Sequence, residues 1–442
     1  MDADVIVIGA GAAGLAAARE LGRRSLRVIV LEARDRVGGR VWPLASADAT
    51  APPELGAEFI HGRARETMAL LRDVGMDAIE TAGESWVCGS DGALQRTDDD
   101  AMSATGIFER ARSLENDESV DVFLRRFENQ DELRTTAATA RALVEGFDAA
   151  DPAIASVQAI ADEWHSGVNG ASARPTGGYG PMLQRLHDDC IAAGVRIDVS
   201  TIVERISLTP AGVTIDTHQT RNGSHLLRAR AAVVTVPAGV LRQSGAGNAI
   251  AFDPDLPAAK QAALANIEMG HVARVTLAFQ TPFWERLDGG RYRDAGFFRC
   301  AGRPFPTYWT QMPVRSNLIV AWAGGPKARA LNGASREELV EKALRGFDGL
   351  FGGCGRAQTE FEAAYVHDWS TDPLSRGAYS YVIVGGANAR ATLAAPVGGA
   401  LFFAGEATAD DGQAGTVNGA LNTGERAARE VVAAFESGGK HD

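Results

Sequence analysis

The feature that most restricts the fold is a strand, a glycine-rich turn, a helix and a second strand in the first 32 residues. The apolar runs at 4–8 and 27–32 predict two buried parallel strands, and residues 12–23 predict the helix between them. The turn places glycine at Gly9, Gly11 and Gly14, with Ala13 before the last, and Glu32 follows about 20 residues later. Backbone N–H groups at such a turn hold a pyrophosphate, and the acid binds a ribose hydroxyl. The segment therefore predicts a dinucleotide-binding βαβ unit.

The residues after this unit indicate which dinucleotide is bound. The string Glu32-Ala33-Arg34-Asp35-Arg36-Val37-Gly38-Gly39-Arg40 continues directly from the second strand. A second glycine pair lets the backbone pass close to a cofactor, and Arg40 offers a bidentate fork to phosphate. An arginine alone would indicate a surface salt bridge. In this string it favours FAD over NAD.

Composition excludes several other classes of function. The net charge is −12, which argues against nucleic acid as a partner. No apolar run is long enough for a membrane span, so we expect no membrane partner. Cys88, Cys190, Cys300 and Cys354 show no metal or redox spacing, which predicts no metal site and a reduced, cytoplasmic setting. Patterns for zinc hydrolysis and serine nucleophiles are absent as well.

The first and last segments of the chain both resemble parts of one nucleotide-binding domain. The residues between them have patterns that do not belong to such a domain. Residues 64–164 have mostly helical periodicity, and short strands follow at 195–236. Further patterns predict strands at 271–280, 317–323 and 361–368 and helices at 335–348 and 416–436. We predict an α/β fold in which a discontinuous, Rossmann-like FAD domain receives an inserted mixed-sheet plus helical substrate domain. The FAD domain comprises 1–60, 190–245 and 395–442; the substrate domain comprises 61–189, with a helical insert, and 246–394.

Beyond the first 40 residues, five further strings make nearly the whole chain resemble the flavin amine oxidase family. They are LGAEFIHG at 55–62, TVPAGVL at 235–241, LAFQTPFW at 277–284, the stretch from Trp369 to GAYSY, and the string LFFAGEATADDGQAGTVNGALNTGERAA at 401–428. The family includes monoamine oxidases, polyamine oxidases, histone lysine demethylases and L-amino-acid oxidases. The N-terminal string is shared with wider flavoproteins such as carotene desaturases, whereas the C-terminal string and the PFW element are more specific.

The resemblance implies FAD-dependent oxidation of an amine substrate. A hydride passes from the carbon beside the nitrogen to flavin N5, water hydrolyses the imine, and molecular oxygen takes up the electrons as hydrogen peroxide. The helix that begins near Gly415, Thr416 and Val417 would face the flavin, although ordinary packing also explains it. The remaining cofactor-binding positions that the resemblance and the motifs indicate are Arg34, Gly39, Gly56, Ala57, Glu58, Val203, Trp369, Gly405 and Glu406. A homodimer is one candidate assembly.

Two departures from the family pattern concern the flavin and the aromatic cage. Ala378 stands where monoamine oxidases have the cysteine that bonds the flavin, so we predict non-covalent FAD. Tyr379 matches one ring of the cage in front of the flavin, and Thr416 stands where the second tyrosine would be. One ring can still hold an amine. The alternative for Tyr379 is a core tyrosine on a strand.

Three charged or polar positions have open roles. Arg274 stands where the family usually has a lysine that holds a water near flavin N5, and it would hold that water, bind a substrate carboxylate or be a solvated arginine. His61 either points into the substrate cavity or is a buried histidine bonded to backbone. Glu58 either binds a cationic amine or supports the flavin loop.

Three other functions stay open at the level of sequence. An L-amino-acid oxidase would need an arginine for the carboxylate, and Arg274 or Arg299 offers one. A C–C desaturase or dehydrogenase would use an acceptor other than oxygen. A flavin-bound scaffold without turnover is favoured only by the change from lysine to arginine at 274.

Overall fold

The computed structural model describes residues 1–45, 52–89, 91–98, 101–167, 172–219, 223–243 and 249–438. Its strands are β1 Val5–Ile8, β2 Val28–Leu31, β3 Ile60–His61, β4 Ala78–Glu80, β5 Glu84–Cys88, β6 Leu94–Thr97, β7 Ser172–Pro175, β8 Arg196–Asp198, β9 Thr201–Thr209, β10 Gly212–Gln219, β11 Gly223–Ala229, β12 Ala231–Val234, β13 Ala251–Asp253, β14 Ile267–Met269, β15 Val272–Phe279, β16 Ala295–Arg299, β17 Thr307–Trp309, β18 Leu318–Gly324, β19 Phe361–Val366, β20 Ser380–Val382 and β21 Leu401–Phe403.

The helices connect and cover these strands. They are α1 Ala12–Arg23, α2 Arg65–Asp73, α3 Val120–Arg125, α4 Asp131–Gly146, α5 Val157–His165, α6 Gly180–Ala192, α7 Ala238–Leu241, α8 Ala258–Ala265, α9 Gly325–Arg329, α10 Arg336–Asp348, α11 Arg356–Glu360, α12 Ala389–Ala394 and α13 Val417–Gly438. Short 3₁₀ segments lie at Ala101–Ala111, Phe283–Gly289, Gly349–Phe351 and Glu406–Thr408. Within the described ranges, no helix is both long and apolar enough to cross a membrane.

A parallel sheet forms the centre of the nucleotide-binding part. Its strand order is β21-β12-β1-β2-β8, and every neighbouring pair is parallel. The side chains of β1 alternate between two cores: Val5 and Val7 pack with α1 and α13, while Ile6 and Ile8 pack with β9 and β10. Both faces are covered, which explains why the β1 sequence is apolar throughout rather than alternating.

A mixed sheet forms the other large layer. Its order is β19-β15-β18-β17-β16-β5-β6, with β16 and β5 parallel and the other neighbours antiparallel. One core lies between this sheet and α10, with Phe279 of β15, Phe298 of β16 and Phe347 of α10 at its centre. Another core, around Phe108 and Trp164, joins α3, α4, α5 and the 3₁₀ segment before them.

The strands of the parallel sheet come from three separate parts of the chain, before residue 32, between 196 and 234, and after 400. The mixed sheet takes its strands from 84–97 and 272–366. The parallel sheet is therefore discontinuous in the chain, as expected for the FAD domain. The boundaries of the two domains stay a prediction.

The segment 64–164 differs from the helical pattern read from the sequence. Strands β4, β5 and β6 lie within it, between α2 and the helical elements that begin at Ala101, and β5 pairs with the distant β16. A strand that pairs across some 200 residues depends on its partner more than on local propensity.

The cysteines also differ from expectation. Cys88 at the end of β5 forms a disulfide with Cys300, 212 residues later, while Cys190 and Cys354 are free. The expected reduced state is therefore wrong for this pair. Spacing along the chain gave no signal, because the sulfur atoms meet only when β5 pairs with β16.

Candidate active site

A cavity of about 870 Å³ lies between the parallel sheet, the mixed sheet and helices α4 and α5. Its wall contains every residue that the sequence singled out as catalytic or cofactor-binding, apart from Gly14. Arg299, the second arginine considered for a substrate carboxylate, also lines it. The fold thus brings together residues from 9 to 417 around one space.

The dinucleotide end of the cavity is built by β1, α1 and β2. A Cβ on Gly14 would lie 1.9 Å from the carbonyl oxygen of Gly9, so only glycine lets α1 pack this closely on the turn. Helix α1 begins after Gly11 without a side-chain cap, which leaves its first backbone N–H groups for an anion. This donor set fits a dinucleotide pyrophosphate.

Glu32 lies beside this helix N-terminus. Its carboxylate accepts hydrogen bonds from the backbone N–H groups of Ala10, at 2.7 Å, and Arg34, at 2.8 Å. Burial raises its pKa despite these two donors. A ribose hydroxyl would supply a further donor to this carboxylate, as the sequence pattern requires.

Arg40 and Glu406 join the two ends of the chain at the cavity wall. Arg40 Nη1 donates to Glu406 Oε1 and to the carbonyl oxygen of Ala378, both at 2.8 Å. Glu406 Oε2 also accepts from Ser380 Oγ at 2.7 Å and from the Gly415 N–H at 3.2 Å. Burial alone would raise the pKa of Glu406, but the positive charges of Arg40 and Arg390 hold it below its ordinary value. Arg40 therefore forms an internal ion pair rather than the surface salt bridge considered from sequence.

Trp369 and Arg34 stabilise the wall near the flavin-loop string. The indole N–H of Trp369 donates to the carbonyl oxygen of Leu55 at 2.9 Å, which fixes the start of the segment that contains Gly56. Arg34 forms an ion pair of 3.0 Å with Asp372. His367 also binds Asp372, and these partners hold the pKa of the Asp372 carboxyl well below its ordinary value although burial opposes them. No motif in the sequence pointed to Asp372.

Tyr379 lies in the cavity wall immediately before β20. Its hydroxyl donates to the carbonyl oxygen of Phe147 at 2.6 Å, and its ring packs against Gly415, where a Cβ would lie 3.4 Å from a ring carbon. Burial raises the pKa of Tyr379, so the phenol is neutral. The ring is thus held between the end of α4 and the start of α13. This position is consistent with a cage ring and leaves the hydroxyl already engaged.

Thr416 stands at the position expected for the second ring of the aromatic cage, opposite Tyr379. It is the N-cap residue of α13. Its hydroxyl oxygen accepts from the Gly419 N–H at 2.9 Å and donates to the Gln413 carbonyl oxygen at 2.8 Å. Both bonds are local, so a threonine here positions the helix N-terminus at the cavity.

Arg274 is buried, with 6% of its surface exposed, and it is not the solvated arginine considered from sequence. Its Nη2 donates to Glu58 Oε2 at 2.6 Å, and its Nη1 donates to the Gly56 carbonyl oxygen at 2.9 Å. Arg174 on β7 binds the other oxygen of Glu58 at 2.6 Å, and the indole N–H of Trp309 donates to the same carboxylate. Burial would raise the pKa of Glu58, but the two arginines hold it below its ordinary value.

His61, on β3, lines the same cavity. Its Nδ1 lies 3.0 Å from Ser172 Oγ, and its ring meets the Phe147 ring edge-on at 4.9 Å between centroids. Burial lowers the pKa of His61 to about 4, so the imidazole is neutral at neutral pH. Its hydrogen-bond partner is a side chain, not the backbone considered from sequence.

Four further residues in or beside the cavity were missed from sequence. Arg174 and Trp309 bind Glu58, and Asp148 and Glu163 are acids from the helical region. None belongs to a recognisable motif. Only the cost of burying a carboxylate within an apolar helical stretch could have suggested Asp148.

Comparison with known proteins agrees with this geometry. The family model described as flavin containing amine oxidoreductase matches residues 12–432. The chain belongs to this family. It is 30% identical to polyamine oxidase 4 of Oryza sativa subsp. japonica over 96% of this chain and 88% of that protein. Membership confirms the predicted family, the flavin cofactor and the oxidation of amines.

Two further proteins are similar to this chain over different shares of their own length. The chain is 28% identical to lysine-specific histone demethylase 1 homolog 3 of Arabidopsis thaliana, over 98% of this chain but only 30% of that protein's length. The solved structure of a putrescine oxidase bound to putrescine has a TM-score of 0.81 at 23% identity and covers 98% of this chain and 99% of that one. This likeness confirms the α/β fold class.

Proposed function

We propose that this chain oxidises an aliphatic amine at the carbon next to nitrogen, with FAD as cofactor and molecular oxygen as electron acceptor. The observation that carries the proposal is Tyr379, held beside Gly415 in a cavity whose other end has the donor set for a dinucleotide. When bound, FAD supplies the acceptor for the hydride. The names of two relatives, a polyamine oxidase and a putrescine oxidase, support an aliphatic amine.

The residues of the cavity orient and bind rather than carry out the redox chemistry. The Tyr379 ring would offer its π face to an amine, and the hydrogen bond from its hydroxyl to Phe147 holds the ring in place in the cavity wall. His61 stays neutral at neutral pH and therefore does not repel a cationic substrate. Glu58 is neutralised by two arginines, which supports its role in holding the flavin loop over direct amine binding.

An L-amino-acid oxidase is not favoured. Arg274 directs its Nη atoms to Glu58 and Gly56, so this guanidinium is not available as a fork for a substrate carboxylate.

The test is anaerobic bleaching of the flavin absorbance by monoamines, polyamines and amino acids, followed by admission of air. We expect amines to bleach the flavin, and air to restore it with formation of hydrogen peroxide. Bleaching by amino acids but not by the matching amines would contradict the proposal. Bleaching by no amine would favour C–C oxidation or a chain without turnover.

Non-covalent FAD is a separate prediction from Ala378. Acid precipitation of the holoenzyme should release the yellow colour into the supernatant, because alanine has no nucleophile to bond the flavin. Colour retained in the washed pellet would contradict it. A cytoplasmic location and a homodimer likewise stay predictions; fractionation of the native host and sedimentation of the holoenzyme would test them.

A further inference from the structure

Six carboxyl groups line the cavity, and they differ in how far their hydrogen-bonding capacity is already used. Four are matched by backbone donors or by cations, namely Glu32, Glu58, Glu145 and Glu406. Asp148 is almost fully buried and accepts from the indole N–H of Trp164 at 3.0 Å. Glu163 differs from these five, because it is only half-buried and its carboxylate has no hydrogen bond or ion pair in the described part of the chain.

Glu163 lies near the Tyr379 ring. It belongs to the last turn of α5, and Ser166, the C-cap residue of that helix, donates from its hydroxyl to the Gly412 carbonyl oxygen at 3.2 Å. This bond ties α5 to the turn before α13, which ends at Gly415 under the Tyr379 ring. Burial raises the pKa of Tyr379, and the charges of Asp148 and Glu163 raise it further, so the Glu163 carboxylate acts on the phenol directly.

The charged groups that face Glu163 come from four other elements. They are Asp148 after α4, Tyr379 before β20, Arg390 on α12 and Glu406 on the 3₁₀ segment Glu406–Thr408. Burial raises the pKa of Glu163 to about 7, Arg390 opposes this rise, and Glu406 adds to it. Burial, followed by the charge of Glu163, raises the pKa of Asp148 well above its ordinary value. Asp148 therefore keeps its proton near neutral pH, and Glu163 is the acid of the two that ionises.

The other charges close to α5 are turned away from the cavity. On the outer face of the helix, Asp162 pairs with Arg112 and His165 pairs with Glu109. In the turn before α13, Asp410 and Asp411 are exposed. None of these six side chains lines the cavity.

An amine must lose a proton before a hydride can leave its carbon. The nitrogen lone pair becomes the second bond of the C=N group, and an alkyl ammonium, with a pKa of about 10, has no free lone pair at neutral pH. A base in the cavity removes the need to bind the rare neutral amine from solution. Arg274 cannot serve, because a guanidinium stays protonated. Burial lowers the pKa of His61 to about 4, which makes it a weaker base than Glu163.

We propose that Glu163 is the general base that takes a proton from the ammonium form of the substrate amine beside Tyr379. The inference rests on the proposed amine oxidation and adds a catalytic residue to it. One N–H bond of the ammonium breaks, its electron pair stays on nitrogen, and the proton forms an O–H bond with the Glu163 carboxylate. The hydride then leaves the adjacent carbon, the product leaves as an iminium ion, and Glu163 releases its proton to solvent before the next turnover.

The test is the pH dependence of anaerobic flavin reduction, followed by stopped-flow absorbance with butylamine or 1,4-diaminobutane, whichever reacts faster. We expect the wild-type second-order rate constant to rise up to about pH 7 and then to stay level until the amine itself loses its proton. In Glu163→Gln only neutral amine from solution reacts, so the constant should rise about tenfold per pH unit. At about pH 8 the variant should be slower by on the order of 100-fold, and near about pH 10 the two proteins should converge.

Glu145→Gln is the matched control, because it removes a carboxylate from the same cavity wall that Lys327 already neutralises. It should keep the level region of the wild-type profile. Glu163→Asp retains the carboxylate and should show the level region at a lower rate. If Glu163→Gln fails to retain flavin, the profiles of the wild type and of Glu163→Asp decide the question.

The outcomes separate the two proposals. A wild-type constant that rises steadily between about pH 7 and pH 10, or equal profiles in wild type and Glu163→Gln, would overturn the general base and leave amine oxidation standing. A loss by the same factor at every pH would also overturn it, since a displaced cavity wall gives no such pH dependence. No flavin reduction by any amine at any pH would overturn both proposals.

Discussion

At position 274, where the family resemblance implies a lysine, the chain has an arginine, and Glu58 is its partner. The two side chains meet at 2.6 Å with both almost fully buried. Neutralisation within the pair explains how a permanently charged guanidinium is tolerated there. The exchange at 274 is therefore best understood together with position 58.

Arg274→Met should lower the free energy of unfolding by about 3–5 kcal/mol, because it leaves Glu58 buried with one arginine fewer. Urea unfolding of the holoenzyme measures this. Arg286→Met, which truncates an exposed arginine, is the control and should change stability by less than about 0.5 kcal/mol.

A double variant separates structure from chemistry. Adding Glu58→Gln to Arg274→Met should recover part of the loss, since no buried charge then lacks its partner. Equal losses in Arg274→Met and Arg286→Met would contradict the pairing. Unchanged rates of flavin reduction and reoxidation in Arg274→Met would limit the residue to a structural role.

His61 gives a prediction about pH. Its pKa is lowered by burial from 6.5 to about 4, so between these values the unfolded chain binds a proton that the folded protein does not. Stability should therefore fall as pH decreases through this window, by on the order of 3 kcal/mol from this group. Thermal unfolding of wild type and His61→Gln at several pH values measures the difference. Identical pH dependence in the two proteins would contradict it.

At the scale of elements, the contact between α1 and the turn after β1 depends on a residue that does not itself line the cavity. A Cβ at position 14 would collide with the Gly9 carbonyl oxygen, which belongs to the rigid backbone of the turn. Helix α1 also packs against α13, so displacement would reach the Thr416 N-cap and the cavity.

Gly14→Ala should cost about 3 kcal/mol or more of stability and abolish FAD retention, because the helix must move away from the strand. Gly106→Ala is the control, since a Cβ there meets nothing within 4 Å. The flavin-to-protein ratio and the thermal midpoint are the measurements. Full flavin content in Gly14→Ala would show that the close contact is not required.

At the scale of the whole molecule, the Cys88–Cys300 disulfide links β5 to β16 across 212 residues, next to the cavity residues Ser85 and Arg299. Thiol titration of the denatured protein before reduction should detect only the two free cysteines, Cys190 and Cys354. After reduction, all four cysteines should react. Four reactive thiols before reduction would contradict the bond.

The sequence alone determined what depends on local order. Glycine spacing, apolar runs and the acid at 32 specify the βαβ unit, because turn geometry and strand burial impose their own residue types. For the same reason the predicted limits of α1, residues 12–23, agree with those in the structure. The candidate site residues that belong to recognisable sequence strings also line the cavity, apart from Gly14.

Only the tertiary structure decided the partnerships between distant residues. The ion pair of Arg274 with Glu58, the disulfide, the pairing of β4 with β7 and of β5 with β16, and the placement of Asp148 and Glu163 in the cavity wall all depend on contacts across many residues. A charge in a sequence does not reveal whether it will be buried or what will neutralise it. That depends on which elements pack together, and here packing places Asp148 and Glu163 in the same cavity wall as Tyr379, with no ion-pair partner among the described residues.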